Sequence, residues 1–242
     1  KTVRIVLYCA LLQYLAGYIY GSENIDNFVC VKPYMVEDLT EGLQFIYQHK
    51  EAEASQWFKS KCFNATVGEL SWNCACFYWA FRAHTAVNDS DQATMALESA
   101  LSFAPQDPTL NSLYGEILVE RSNFSGAAKH FIIAAEVKNT QLDASSREDT
   151  VKHWYNAATS YVQIGKVDEA LDMYRRALQH GADKWSIHNS MGLLLQDLGR
   201  LDEAVAAYGT ALKLTPGHPA VLRNLAGAHL QLDNASEALA LL

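Results

Sequence analysis

The sequence predicts an all-α protein built from stacked pairs of antiparallel helices. The main observation is a phrase that occurs twice: "GKVDEALDMYRRALQHGA" at residues 165–182 and "GRLDEAVAAYGTALKLTP" at residues 199–216, 34 residues further on. A second observation is that alanine recurs in register with this spacing from residue 93 onward. Because one short helix pair cannot bury its own apolar face, this repetition predicts units that stack side by side.

The 34-residue spacing divides residues 74–242 into about five units. They begin at residues 74, 108, 151, 185 and 219, and the fifth is incomplete at Leu242. The third unit begins nine residues late, and the extra residues fall in the polar stretch 138–150, which predicts a loop or an extended helix end. Since the last unit stops on the apolar string "ALALL" without a polar cap, we expect the sequence to be a piece of a longer protein.

Small residues occupy three positions of this frame, as the close approach of crossing helices requires. One position holds Gly115 and Gly192, and the two others hold alanine throughout: Ala93, Ala127, Ala170, Ala204 and Ala238, then Ala100, Ala134, Ala177 and Ala211. With Tyr174 and Tyr208 four residues after an alanine, the pattern resembles the tetratricopeptide repeat (TPR), a helix-turn-helix unit of 34 residues. The resemblance covers residues 74–242 and implies a right-handed superhelical solenoid of antiparallel helix pairs.

Residues 22–73 fit the frame poorly. Residues 36–62 have a helical composition, and Gly42, Ala54 and Phe58 are of the residue types that the frame uses. We expect a helical N-terminal cap here, with a degenerate repeat as an alternative.

The first 21 residues carry Lys1 and Arg4, followed by eighteen residues without charge before Glu23. This run is at the short limit for a membrane span, and a basic start before an apolar run is also typical of a secretory signal peptide. Residues 1–21 are therefore predicted to be a signal peptide or a signal anchor, with membrane contact through residues 5–20. The alternative is a buried first helix of a soluble domain.

A signal peptide or an anchor would place the remaining chain in the lumen of the secretory pathway, or on a membrane facing it. Four acceptor sequences for N-glycosylation agree with that location, although Asn-x-Ser also caps helices; they are at Asn64, Asn88, Asn123 and Asn234. The alternative location is the cytoplasm.

Four cysteines that follow the apolar run form a candidate disulfide set: Cys30, Cys62, Cys74 and Cys76. In the lumen they would form two bonds, with three connectivities open. Cys74 and Cys76 point to different sides of one helix, so each requires a partner from the preceding segment. In the cytoplasm all of them would stay reduced.

The sequence contains no motif that indicates a reactive centre: no H-E-x-x-H, no P-loop, no dinucleotide-binding glycine motif and no nucleophile elbow. The spacing of Cys62, Cys74, Cys76 and His84 matches no zinc knuckle, and His84, His188 and His229 occupy packing positions of the frame. A net charge of −8 opposes binding to nucleic acid. We expect no enzyme activity, no cofactor, no metal and no nucleic-acid partner.

In repeat proteins of this type, the first helices of successive pairs line a concave groove that binds extended peptides or partner helices. The residues expected to face it are polar and mixed, although they also suit an ordinary solvated surface: Lys152, Tyr155, Asn156, Thr159, Ser186, Asn189, Ser190, Leu193, Arg223, Asn224 and Gly227. The lysine and asparagine clamp of chaperone-binding members is absent, because Tyr155 and Thr159 stand in its place. Asn156, Ser190 and Asn224 share one position, which resembles the asparagine ladder of the sugar-transferring member.

The resemblance implies a non-enzymatic scaffold that holds a protein or an extended peptide in this groove. One alternative is the non-catalytic, substrate-positioning arm of a longer secretory-pathway enzyme, such as a glycosyl- or sulfotransferase or an oxygenase, that continues after Leu242. Another is a structural subunit of a membrane complex.

Overall fold

The computed structural model describes residues 36–62, 70–138, 144–180 and 184–241, and every regular element within these ranges is an α-helix. This confirms the predicted all-α fold. The helices described are α1 (Val36–Tyr47), α2 (Glu51–Cys62), α3 (Leu70–Ala86), α4 (Ser90–Phe103), α5 (Pro108–Glu120), α6 (Phe124–Lys138), α7 (Ala144–Gln163), α8 (Val167–Gln179), α9 (Trp185–Asp197), α10 (Leu201–Leu214), α11 (Pro219–Gln231) and α12 (Ala235–Leu241).

The chain divides into two compact units, with the boundary inside α5 between Ile117 and Leu118. In the first unit α1, α2, α3 and α4 pack against one another in chain order, and in the second unit the same holds from α6 to α12. Packing between neighbours in the sequence is how repeat proteins build a continuous core from units that are too small to have one alone.

One turn geometry closes each helix pair in the described part of the chain. Shortly after the first helix, one residue takes a left-handed conformation with φ between 54° and 72°: His49, Asn88, Ser122, Gly165, Gly199 and Asp233. Its N–H donates to the carbonyl three residues back, and the next N–H donates to the carbonyl five residues back; at Gly199 and Arg200 both bonds measure 2.9 Å. This pair of bonds is the Schellman C-cap, which ends a helix and reverses the chain.

The small residues of the repeat lie where helices cross. All nine alanines of the two alanine positions are buried, with at most 4% of their surface exposed. A Cβ atom placed on Gly192 would lie 2.5 Å from the ring of Tyr208, and Gly115 is also buried. Helices this close leave no room for a larger side chain.

The first helix pair, α1 and α2, has the same internal spacing as the later pairs. Ala54 and Phe58 are fully buried, and they follow Gly42 by the same intervals as Ala204 and Tyr208 follow Gly192. A Cβ on Gly42 would collide with the ring of Trp57 and would lie 2.8 Å from that of Phe58. The glycine and the aromatic ring therefore meet as they do between α9 and α10.

Residues 1–35 lie outside the described part of the chain, and with them the predicted signal or anchor segment 1–21 and the predicted membrane contact through residues 5–20. None of the helices that the structure describes is both long and apolar enough to cross a lipid bilayer. Within the polar insertion 138–150, residues from Ala144 onward belong to α7, which is 20 residues long.

Candidate functional site

The predicted groove residues lie on three helices of the second unit, α7, α9 and α11, which are the first helices of successive pairs. Lys152 and Arg223 are exposed. The other seven are partly buried: Tyr155, Asn156, Thr159, Ser186, Asn189, Ser190 and Asn224. We call the surface formed by these nine residues with Leu193 and Gly227 the first-helix face.

Tyr155 on α7 contacts Ser190 on α9. The two hydroxyl oxygens are 3.1 Å apart, and either can donate the hydrogen bond. The ring of Tyr155 also packs against Tyr174 of α8, with centroids 5.7 Å apart. Burial raises the pKa of the Tyr174 phenol well above its usual range, and Tyr155 adds to the rise while Ser190 opposes it. These three side chains therefore form a neutral, hydroxyl-rich cluster that joins α7, α8 and α9.

Asn224 on α11 contacts Asn189 on α9. Its Nδ2 amide donates to Oδ1 of Asn189 at 2.9 Å. The opposite atoms, Nδ2 of Asn189 and Oδ1 of Asn224, make no hydrogen bond within the described residues, and neither is enclosed away from solvent. The pair thus presents one donor and one acceptor on the first-helix face.

The two contacts are equivalent in the repeat frame. In each, the fifth residue of one unit meets the sixth residue of the next unit, so the partners are 35 residues apart. Neighbouring first helices are therefore joined by polar side chains at one level, and we call these four residues the polar ladder: Tyr155, Ser190, Asn189 and Asn224.

Asn156 belongs to the same repeat position as Ser190 and Asn224 but has no counterpart contact. Its carboxamide makes no hydrogen bond to the described residues, whereas its main-chain carbonyl accepts from the hydroxyls of Thr159 and Ser160 at 3.0 and 2.8 Å. The Thr159 hydroxyl is therefore used inside α7, and Asn156 adds a further free amide to the face.

Two features of the helices that carry this face were not predicted from the sequence. Gln196 accepts a hydrogen bond from the Tyr208 hydroxyl at 2.9 Å, a contact between α9 and α10 that repeat spacing does not indicate. Leu230 is 56% exposed and lies two helical turns after Arg223 on α11. An apolar residue at helical spacing from polar groove positions was the available signal for Leu230.

The histidines of the frame pack against other helices or lie partly buried. His84 is 1% exposed, and its Nδ1 lies 2.9 Å from the hydroxyl of Ser55; His188 and His229 are partly buried. Within the described ranges, no three His, Cys, Asp or Glu side chains cluster as the ligands of a metal ion would.

Three of the four glycosylation candidates stand in turns between paired helices. Asn88, Asn123 and Asn234 are exposed, and Asn64 lies outside the described residues. Oδ1 of Asn123 accepts from the Gly126 N–H at 3.1 Å, so this side chain caps α6.

Cys62 and Cys76 form a disulfide between α2 and α3. The bond joins Cys76 to a cysteine of the preceding segment, the arrangement expected from the sequence. Cys74 is buried beside the carbonyl oxygen of Ala100. Cys30 lies outside the described residues, so the second bond stays a prediction.

Comparison with known proteins identifies the repeat. Models of the tetratricopeptide repeat match residues 154–184 and 195–242. The human cell division cycle protein 16 homolog is 27% identical over 173 residues, which cover 69% of this chain and 27% of the relative. The chain thus spans about a quarter of the length of that relative. It contains a tetratricopeptide-repeat segment.

Solved structures share the fold. The crystal structure of MamA has a TM-score of 0.61 at 16% identity, covering 72% of this chain and 89% of the other. YrrB, described as a TPR protein with an unusual peptide-binding site, has a TM-score of 0.54 at 19% identity, with coverages of 69% and 82%. At these identities the likeness establishes the all-α, TPR-type fold.

Proposed function

We propose that the protein is a scaffold without a reactive centre of its own, and that its first-helix face binds an extended peptide of a partner protein. The observation that supports this most is the polar ladder, which runs across three consecutive first helices. The description of YrrB as a TPR protein with a peptide-binding site supports the same kind of ligand.

The chemistry of the ladder suits a peptide main chain. Nδ2 of Asn189 can donate to a peptide carbonyl, Oδ1 of Asn224 can accept from a peptide N–H, and the Asn156 carboxamide can do either. All of these side-chain groups are neutral. They can form hydrogen bonds with main-chain N–H and C=O groups and do not select a ligand by its charge. Leu193, 43% exposed on the same face, would contact an apolar side chain of the peptide.

This proposal is tested by phage display: a library of random 12-residue peptides is selected for binding to the full chain. We expect enriched peptides to bind the wild type and to lose at least about tenfold in affinity for the triple variant Tyr155→Phe, Asn189→Ala, Asn224→Ala. Lys213→Ala, at an exposed position of the second helix α10, is the matched control and should bind as the wild type does. No enrichment, or equal affinity for the triple variant, would contradict the proposal.

We further propose that the protein acts in the lumen of the secretory pathway. The disulfide Cys62–Cys76 supports this, because structural disulfides persist in oxidising compartments and are rare in the cytosol. The exposed acceptor asparagines Asn88, Asn123 and Asn234 support it as well, since glycans attach at surface turns.

Endoglycosidase treatment of the protein from its native cells tests this location. We expect a mobility shift that disappears when Asn64, Asn88, Asn123 and Asn234 are all replaced by glutamine. A wild type without a shift, with Cys62 and Cys76 open to a thiol reagent under native conditions, would instead indicate the cytoplasm.

A further inference from the structure

We infer that Gly227 opens the first-helix face so that the main chain of a bound extended peptide can approach the α11 backbone beside Asn224. This inference rests on the proposed peptide-binding function. It adds that the bound peptide comes closest to the protein at Gly227 and that its main-chain atoms are bound there.

Neither packing against the described residues nor backbone conformation requires glycine at position 227. It lies inside α11, where glycine is unfavourable compared with alanine. Its φ is not positive, and among the described residues the atom nearest to a Cβ placed on it would be Nε2 of Gln196, at an ordinary contact distance of 3.8 Å. Gly192 differs, because its Cβ would collide with Tyr208, and Gly199 differs because its φ is +72°. Packing and backbone conformation would therefore both accept alanine at position 227.

The position of Gly227 indicates what the missing side chain leaves open. Gly227 is three residues after Asn224 and four residues after Arg223, so all three lie on one side of α11. The contact between Asn224 and Asn189 of α9 uses Nδ2 of the first and Oδ1 of the second, and the other two amide atoms bond to none of the described residues. The gap therefore lies on the side of α11 that carries Asn224, next in the helix to a pair that leaves one donor and one acceptor unused by the described residues.

A peptide backbone is the occupant that fits these features. It offers an N–H to Asn224 and a carbonyl to Asn189, and both bonds require the ligand backbone to lie close to the helix surface. Glycine permits such a close approach between two backbones, whereas a methyl group would stand between them. An apolar helix would make neither bond, and a single charged side chain would use the donor or the acceptor but not both.

Gly209 provides a matched control. It also lies inside a helix, α10, and no atom of the described residues is within 4 Å of a Cβ placed on it. Gly209 belongs to the second helix of its pair and not to the first-helix face. Replacement of either glycine by alanine should raise the thermal midpoint of unfolding to a similar extent, because both gain helix propensity without a clash.

The test measures stability and binding in parallel for Gly227→Ala and Gly209→Ala, with a 12-residue peptide selected against the wild type as the probe. We expect both variants to be at least as stable as the wild type, Gly227→Ala to bind at least about tenfold more weakly, and Gly209→Ala to bind unchanged. N-methylation of the peptide amides, one at a time, should abolish binding at one amide or more, because a methylated amide cannot donate.

The outcomes separate this inference from the proposed function. If Asn189→Ala with Asn224→Ala weakens binding while Gly227→Ala does not, the face binds the peptide and the role of Gly227 is wrong. If no N-methylated peptide loses affinity, main-chain recognition is wrong. If the selection yields no peptide, or none of these variants changes binding, both proposals are overturned.

Discussion

Gly192 on α9 lies directly against the ring of Tyr208 on α10, so that a Cβ atom on the glycine would lie 2.5 Å from a ring carbon. Tyr208 is fully buried, and its hydroxyl donates to Gln196 on the same helix as the glycine. The ring cannot turn aside without losing that hydrogen bond. The separation between α9 and α10 therefore depends on the absence of a side chain at position 192.

Replacement of Gly192 by alanine is expected to lower the free energy of unfolding by about 1–3 kcal/mol, as overpacking of a close helix crossing does. Urea denaturation measures the change. The control is Gly209→Ala, which meets open space in α10 and should raise the free energy of unfolding by about 0.5–1 kcal/mol. Equal stability of the two variants would mean that α9 and α10 are not this close.

The turn residue Ser122 offers a stabilising change. Its φ of 59° lies in the left-handed region, which is unfavourable for serine and open to glycine. Ser122→Gly is therefore expected to stabilise the protein by about 0.5–1 kcal/mol, less than the strain itself because glycine also loosens the unfolded chain. The reciprocal change, Gly199→Ser at the equivalent turn, should destabilise by about 1 kcal/mol. Thermal unfolding of both variants checks the pair, and a loss of stability in Ser122→Gly would contradict the shared turn geometry.

Buried His84 makes stability depend on pH. Burial lowers its pKa below the ordinary value, with a smaller lowering by Lys59 and an opposing effect of Asp89. The unfolded chain then takes up the proton first, so stability is retained above about pH 6.5 and is lost as the pH falls below that value towards the folded-state pKa.

His130 shifts in the same direction, because it is partly buried beside Lys129. The urea midpoint of unfolding is therefore measured for the wild type and for His84→Gln at each pH from about 8 down to about 5. The difference between the two midpoints at each pH isolates the effect of His84. The variant should lose less stability on acidification, and identical pH profiles would show that His84 is not the group responsible.

The disulfide Cys62–Cys76 joins residues 14 apart in the sequence. Closure of a loop of this length stabilises a folded chain by about 3 kcal/mol, because it restricts the unfolded state. The double variant Cys62→Ser, Cys76→Ser is expected to lose about this amount under oxidising conditions. Urea denaturation with and without reductant checks the assignment, since the wild type should move towards the variant when reduced. A variant as stable as the oxidised wild type would contradict it.

The repeat frame made the fold predictable because close helix crossings admit only small side chains. The buried alanines from Ala93 to Ala238 occupy these crossings and recur in the sequence for that reason. The first pair, α1 and α2, was harder to recognise, because 39 residues separate its turn residue His49 from the next, Asn88. This turn residue is a histidine and not the glycine or asparagine that most often ends a helix in this way, so no turn signal marked it.

The candidate site was predictable by helix face but not by contact. Helical spacing places Tyr155, Asn189, Ser190 and Asn224 on first helices, but it does not indicate which side chains meet. The contacts join the fifth residue of one unit to the sixth of the next, a shift that depends on how successive helices are rotated and displaced. Which amide atoms of the Asn189–Asn224 pair stay unbonded depends on that shift, so the sequence alone does not indicate them.

The shared turn has a consequence for synthesis. Each helix pair is closed by hydrogen bonds that span no more than six residues, so its turn needs only its own residues, and the hairpin becomes stable when the next hairpin to leave the ribosome packs against it. This packing between neighbouring hairpins requires no distant part of the chain. Translation and folding can therefore advance in the same direction, one hairpin at a time.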